Sequence, residues 1–138
     1  MTHKKQIPEI SRYMTTTPHS IGGDQTLAKA VELMSEYKIR HLPVLTGGRL
    51  EGILSDRDVK FAMSFKDVDP KTTLVSDISC EEVYSAHPNT PLDEVLSNMS
   101  KSRLGSAVVT DNGKLVGIFT AVDAIRTFNE MLETKLAR

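Results

Sequence analysis

Apolar residues recur along this chain in a helical pattern and then in a strand-like pattern. The apolar positions of residues 27–34 lie three and four residues apart, which predicts one buried face of a helix. Two short apolar runs follow at residues 41–45 and 50–54, and a Gly-Gly pair between them predicts a hairpin. A second helix is predicted over residues 56–64. With a short extended segment at Ser20-Ile21, the pattern predicts a β-α-β-β-α unit.

The same order of patterns returns in the second half of the chain. A shift of 65 positions aligns residues 20–63 with residues 85–128 without a gap, and it matches Gly52 with Gly117. Such a gapless register, with apolar positions and turn glycines preserved, indicates a duplication. The second copy predicts a helix with Thr90 as its cap and Pro91 as its first residue, strands at 107–109 and 115–119, and a closing helix from 122 to beyond 131.

The duplication predicts two small units joined by a polar linker that contains a proline. A unit of this size buries little surface alone, so we expect the two copies to pack together, with a cleft at their seam. The predicted organisation is an N-terminal arm at residues 1–10, loosely held, a first unit at 11–65, a linker at 66–73, a second unit at 74–130 and a helix end at 131–138.

Composition narrows the functional classes. The 138 residues carry a net charge of −1, which gives no electrostatic footprint for nucleic acid or an anionic membrane. No apolar run approaches the ~20 residues of a spanning helix, and no apolar stretch follows the basic start as in a secretory signal. The chain has one cysteine and therefore no internal disulfide. We expect a cytoplasmic protein.

One motif follows the last strand of each copy. Residues 52–58 and 117–123 both run from a glycine through apolar residues to a hydroxyl residue, with an aspartate three positions later. In one interpretation the pairs Ser55/Asp58 and Thr120/Asp123 are capping boxes that satisfy backbone N–H groups at a helix start. In the other, both carboxylates face an open cleft and accept hydrogen bonds from the hydroxyls of a ribose.

With these motifs, the sequence resembles a tandem pair of CBS domains from about Met14 to Phe128. The resemblance is carried by residues 27–34, by the run Ile-Arg-His-Leu-Pro-Val at 39–44, by the motif at 52–58 and by their second-copy counterparts. It implies an α/β (α+β) fold of two pseudosymmetric β-α-β-β-α units packed through their sheets. It further implies a regulatory, non-enzymatic homodimer, without an obligatory cofactor, that binds AMP, ADP, ATP or a related adenosyl ligand and acts on another protein.

The resemblance also implies which residues contact the ligand. Ribose would be held by Ser55 with Asp58 and by Thr120 with Asp123. Adenine would lie against strand residues, with backbone groups of the first short strand of each copy reading its edge. The base-binding residues implied are Ile39, Pro43, Ile53, Ser20 and Ile21 at the first site, and Leu104, Val108, Ile118 and Ser85 at the second. For each apolar residue, core packing is the competing interpretation.

The two copies differ where a phosphate would lie. The first has Arg40, His41 and Arg57, and the second has Gly105, Ser106 and Val122 at the equivalent positions. Because arginine suits phosphate, we expect the first site to prefer a phosphorylated nucleotide, with Arg57 as the main contact. Arg57 as a solvated helix residue is the alternative. The second site, with Glu81 and Glu82 upstream, would be empty or take a less charged ligand unless Arg103 compensates.

Other chemistries find little support. The histidines and Cys80 lack metal-ligand spacing, and the acids beside Cys80 do not favour a thiolate. A hydrolase or transferase would need a positioned base that the pattern does not offer. A structural dimerisation scaffold, in which both motifs serve only as helix caps, remains as the second functional class.

Overall fold

The computed structural model describes residues 6–79 and 82–135, and the strand-helix-strand-strand-helix order occurs twice in it. In chain order, the strands and helices are β1 (Thr15–Thr16), β2 (Ile21–Gly22), α1 (Leu27–Tyr37), β3 (His41–Thr46), β4 (Arg49–Ser55), α2 (Asp56–Met63), β5 (Ser85–Ala86), α3 (Leu92–Ser102), β6 (Ser106–Asp111), β7 (Lys114–Thr120) and α4 (Ala121–Lys135). Short 3-10 helices lie at Ile10–Arg12 and Val75–Asp77. The mixed α and β fold predicted from the sequence is confirmed.

One compact unit spans Pro18–Val83. Its three strands lie in the order β2-β3-β4, with β2 parallel to β3 across the α1 crossover and β3 antiparallel to β4. The helix face predicted from apolar spacing is buried, because Leu27, Ala30 and Met34 pack with Leu42 and other strand residues in one core cluster. The hairpin turn is formed by two glycines that both have positive φ, as a tight primed turn requires.

The second copy forms the other unit together with the N-terminal segment. Its sheet has the order β1-β7-β6-β5, in which β1 pairs antiparallel with β7 and sets Thr15 opposite Ile118. Residues 11–17, which the repeat assigns to the first copy, therefore add a strand to the sheet of the second.

The prediction of a loosely held arm is wrong for Pro8 to Ile10. Ile10 is fully buried in the core cluster of this unit, and its N–H donates to the Thr90 carbonyl at 2.9 Å. The Pro8 carbonyl accepts from Leu92 N at 2.8 Å, which satisfies a free N–H at the start of α3. Burial of the isoleucine and these bonds hold the segment in place. The earlier residues 1–5 lie outside the described part.

The start of α3 also corrects the predicted cap. The helix begins at Leu92 with Pro91 as its N-cap, and no side chain caps it. The Thr90 hydroxyl instead accepts a hydrogen bond from His87 N at 3.0 Å. The hydroxyl therefore closes the preceding turn rather than the helix.

The duplication is confirmed down to the register of the strands. His41 lies opposite Ser55 in the first hairpin, and Ser106 lies opposite Thr120 in the second. Each hairpin also carries an irregularity at the equivalent position, after Val44 and after Val109.

The predicted linker is bonded to the first unit. The carbonyls of Thr73 and Pro70 accept hydrogen bonds from Leu27 N at 2.9 Å and Ala28 N at 2.8 Å, and Val68 packs against the core. These carbonyls satisfy N–H groups that the first turn of α1 leaves without helical partners. The segment thus lies within the unit Pro18–Val83, where it completes a helix end.

Candidate functional site

The first motif lies at the junction between β4 and α2. The Ser55 hydroxyl accepts a hydrogen bond from Asp58 N at 3.0 Å, and Asp58 Oδ2 accepts one from Ser55 N at 3.2 Å. This is the capping box that the sequence predicted as one interpretation. It engages one oxygen of the carboxylate.

The second motif lies at the equivalent junction between β7 and α4. Asp123 Oδ2 accepts from Thr120 N at 2.9 Å and from the Thr120 hydroxyl at 3.1 Å. The other oxygen, Oδ1, accepts from the Arg126 guanidinium at 3.2 Å. Asp123 is 6% exposed, so both oxygens of a buried carboxylate are engaged.

The two carboxylates therefore differ in their availability. Asp58 is half-buried, and within residues 6–79 and 82–135 no partner is found for its Oδ1. At Asp58 one oxygen is left available, and the expectation of an open carboxylate there stays a prediction. The same expectation does not fit Asp123, because a side chain one helical turn further along occupies the oxygen that a ribose would need.

Four of the predicted contacts at the first site share one face of the sheet. His41 lies opposite Ser55 and Pro43 opposite Ile53, and side chains alternate along each strand. Their neighbours Leu42 and Leu54 belong to the core cluster on the other face. The sheet thus aligns an imidazole, a hydroxyl and two buried apolar residues in one row.

The second copy repeats this row with different chemistry. Ser106 lies opposite Thr120 and Val108 opposite Ile118, and all but Thr120 are buried. The imidazole of the first row is replaced by a hydroxyl. The second row therefore carries no titratable side chain.

The remaining base contacts predicted for the first site lie outside this row of strand residues. The side chain of Ile21 is 4% exposed and packs in the core, while its backbone, which was predicted to read the base edge, pairs with Val44 in β3. Ser20 is half-buried just before that strand. Ile39 packs partly on the core and, with Arg40, lines an open cavity of about 380 Å³ beside the end of α1.

The equivalent second-copy contacts are partly engaged. The Ser85 hydroxyl lies 3.1 Å from that of Thr110, and the Tyr84 carbonyl accepts from Val108 N at 3.0 Å. Leu104 is half-buried between α3 and β6. The backbone carbonyl just before this short strand therefore already has a partner in β6.

Charged groups gather around His41 at the first site. Burial lowers the pKa of His41 below its ordinary value; the nearby Asp58 opposes this, Arg40 reinforces it and Asp56 opposes it. The imidazole is therefore mostly neutral near pH 7. Asp58 and Arg40, two of the predicted ribose and phosphate contacts, are thus both close enough to His41 to influence its pKa.

Arg57, the predicted main phosphate contact, is exposed in the first turn of α2. The part of the chain that the structure describes offers its guanidinium no hydrogen bond or ion pair. Its neighbour Asp56 pairs with Lys60 at 3.1 Å. Arg103, predicted as a compensating cation at the second site, is the exposed C-cap of α3 in the left-handed conformation.

The sequence reasoning missed the residues around Asp123. A cavity of about 360 Å³ opens beside this carboxylate. The cavity is lined by Arg12, Tyr13, Asp123, Arg126, Thr127 and Glu130. The spacing of Arg126 three residues after Asp123 on a helix was the available signal, because such pairs are neighbours on the helix surface.

Within the described ranges, no cluster of three or more histidine, cysteine, aspartate or glutamate side chains is placed to hold a metal ion. Cys80 and Glu81 lie outside those ranges. Of the helices described here, none combines the length and apolar character needed to cross a membrane.

Comparison with known proteins places the fold and the motif in a family. The model of the CBS domain matches this chain twice, at residues 10–64 and 75–130. CBS domain-containing protein YhcV from Bacillus subtilis is 30% identical over 110 residues, which cover 80% of this chain and 78% of that protein.

Solved structures agree with this assignment. A Vibrio cholerae protein assigned to acetoin utilization, AcuB, superposes with a TM-score of 0.84 at 28% identity, covering 96% of this chain and 98% of its own. The CBS domain pair of protein MJ0100, in complex with 5′-methylthioadenosine and S-adenosyl-L-methionine, superposes with a TM-score of 0.83 at 25% identity, covering 91% and 99%. The chain therefore belongs to the CBS-domain family and carries two CBS domains in tandem.

Proposed function

We propose that this chain is a regulatory module that binds an adenosine nucleotide, AMP, ADP or ATP, at Ser55 and Asp58. In this proposal the bound state is passed to a partner protein, and the chain itself catalyses no reaction. The observation that carries the proposal is the Oδ1 of Asp58, which has no partner among the described residues. Asp58 caps α2 together with Ser55, and Ser55 shares a row of the sheet with His41, Pro43 and Ile53. A carboxylate oxygen accepts hydrogen bonds from a sugar diol, and the apolar residues of the row suit a purine face.

The similar CBS pair of protein MJ0100 supports an adenosyl ligand. That protein is bound to 5′-methylthioadenosine and S-adenosyl-L-methionine, which both contain an adenosine with its ribose diol. The same recognition chemistry in this chain would need a carboxylate at the strand-to-helix junction, where Asp58 lies.

Cationic groups at the first site support a phosphorylated ligand. Arg40 and Asp58 both act electrostatically on His41, and Arg57 extends from the first turn of α2 without a competing ion pair among the described residues. Guanidinium groups bind phosphate oxygens through paired, charge-assisted hydrogen bonds. We therefore assign the phosphate of the nucleotide to this end of the site, with Arg57 as its main contact.

A structural scaffold is the second candidate, because a specific observation favours it. Both motifs form hydrogen bonds at the starts of their own helices, which is sufficient to explain the Ser/Thr and Asp positions. In that case the chain would serve dimerisation, and no nucleotide would change its thermal stability.

Exposed apolar residues on α4 support a homodimer in either case. Ile125 is 69% exposed and Phe128 is 63% exposed. They form a stripe with Leu132, at three- and four-residue spacing on the side of α4 away from buried Asp123 and Thr127. A second copy of the same helix would cover such a stripe in a two-fold arrangement.

We place this dimer in the cytoplasm, because a chain with a single cysteine is typical of a reducing compartment.

Thermal shift followed by calorimetry tests the nucleotide proposal. A panel of AMP, ADP, ATP, NAD and S-adenosylmethionine selects the ligand, because binding to the native state raises the melting temperature. Calorimetry is then repeated on Asp58→Asn. Its amide oxygen can still accept from Ser55 N, so we expect little loss of stability but about tenfold weaker binding, the scale of one charge-assisted hydrogen bond.

Two further variants complete the test. Asp93→Asn removes a first-turn carboxylate from α3 in the other unit and should leave the affinity unchanged. Arg57→Ala should weaken AMP more than adenosine, since it removes the proposed phosphate contact. Unchanged AMP affinity in both Asp58→Asn and Arg57→Ala, or a panel without any thermal shift, would favour the scaffold.

A further inference from the structure

An ion pair occupies the second copy of the motif. The Arg126 guanidinium donates to Asp123 Oδ1 at 3.2 Å, while Thr120 occupies Oδ2 with two hydrogen bonds. The carboxylate is 7% exposed as a side chain, whereas the side chain of Arg126 is 63% exposed. The arginine therefore covers a buried acceptor from the solvent side.

The first copy provides an internal comparison. The residue equivalent to Arg126 in the repeat is Phe61, which also lies three positions after the motif aspartate. Phe61 is 67% exposed and packs edge-to-face against Phe65 at 5.3 Å between ring centres. A phenyl ring offers no donor to a carboxylate, which agrees with the unengaged Oδ1 of Asp58.

We propose that Arg126 determines the specificity of the second site by occupying the carboxylate oxygen that a ribose would use. The proposal rests on the nucleotide function proposed for the first site. An adenosine ligand at Asp123 has to displace a positively charged guanidinium from a buried carboxylate, and it regains only hydrogen bonds whose hydroxyl donors carry no charge. The cavity beside Asp123 gives the displaced side chain room to move.

As a consequence, the sites at Asp58 and Asp123 should be occupied unequally, although they share the same strand register. At a nucleotide concentration that saturates Asp58, Asp123 remains with Arg126 and the chain binds one nucleotide. We expect the second site to be weaker by about tenfold or more, the scale of one charge-assisted hydrogen bond.

A reciprocal exchange between the copies tests the proposal by calorimetry with AMP. Arg126→Phe installs the first-copy residue in α4 and should raise the AMP bound from one to two per chain. Phe61→Arg places a guanidinium three residues after Asp58 and should weaken the first site about tenfold. Arg126→Ala repeats the first exchange without adding a ring. Arg12→Gln, which removes another cation from the same cavity without a bond to Asp123, should change nothing.

The outcomes separate this proposal from the one on which it rests. If the wild type binds AMP through Asp58 but Arg126→Phe and Arg126→Ala match it, the role of Arg126 is overturned and the proposed function stands. Two equal sites in the wild type also overturn it. If Asp58→Asn has no effect while Arg126→Ala gains binding that Asp123→Asn removes, the first-site assignment fails and the role of Arg126 stands. Absence of AMP binding in every variant overturns both.

Discussion

Asp58 and Asp123 occupy the same position in the repeat but are engaged differently. Each gives one oxygen to the start of its own helix, so the capping and ligand-binding interpretations of the motif are compatible for a single residue. A carboxylate has two oxygens, and the difference lies in the second one. At Asp123 that oxygen is engaged by Arg126, and at Asp58 it has no partner in the described residues.

We expect His41 to make the stability of the fold depend on pH. Burial lowers its pKa below the ordinary value of 6.5, so the unfolded chain binds a proton that the folded chain resists. Stability should therefore be complete above about pH 6.5 and fall as the pH drops towards the folded pKa. Urea unfolding of the wild type and His41→Gln at about pH 7.5 and about pH 5.5 measures this. A variant with the same pH dependence as the wild type would show that another group is responsible.

Both first helices of the repeat end on the same backbone conformation. Lys38 and Arg103 are C-caps with φ of 54° and 56°, in the left-handed region where glycine is favoured. The following residue then donates back into the last turn, Ile39 N to Met34 and Leu104 N to Met99, each at 3.1 Å. The strain at the cap is tolerated because these bonds end the helix and lead into the next strand.

Replacing Arg103 by glycine should stabilise the protein. Glycine adopts the left-handed conformation without strain, and we expect a gain of about 0.5–1 kcal/mol in the free energy of unfolding. Ser102→Gly is the matched control, since it places glycine at the last residue of α3, where φ is not positive, and should bring no gain in stability. Denaturant midpoints of the two variants compare the effects. A loss of stability in Arg103→Gly would indicate that contacts of the arginine side chain stabilise the fold by more than its left-handed backbone destabilises it.

At the scale of the whole molecule, the apolar stripe on α4 is the main indication of how the chain associates. A helix with apolar residues on two faces is expected to be covered on both. The inner face of α4 carries Ala124 and Met131 against the core, and the outer face carries Ile125 and Phe128. A second copy of the chain is the partner we propose for the outer face.

The dimer proposal predicts the effect of a charge on this stripe. Ile125→Asp should shift the chain from dimer to monomer, because a carboxylate would be buried without a partner at the interface. Thr134→Asp adds the same charge to an exposed position of α4 outside the stripe and should leave the dimer intact. Light scattering after size-exclusion chromatography measures both masses. A wild-type protein that elutes as a monomer at high concentration would remove the proposal.

Much of this architecture was predictable because the chain contains its own comparison. Apolar spacing located α1, and the Gly-Gly turn located the β3–β4 hairpin. Alignment of the copies then transferred those assignments to the second half. The role of the N-terminal segment was not predictable in this way, because pairing of Thr15 with Ile118 joins residues about a hundred positions apart. Neither local spacing nor the repeat contains that information.

The sequence by itself determined the duplicated unit, the order of its strands and helices, and the position of a hydroxyl and a carboxylate at each strand-to-helix junction. These features follow from local periodicity, turn residues and helix capping, which act over a few residues. Only the tertiary structure decided that Ile10 is buried in the core of the second copy. It also decided that Ile21 packs in the core of the first copy and that Asp58 and Asp123 differ in exposure. Burial depends on which distant side chains cover a group.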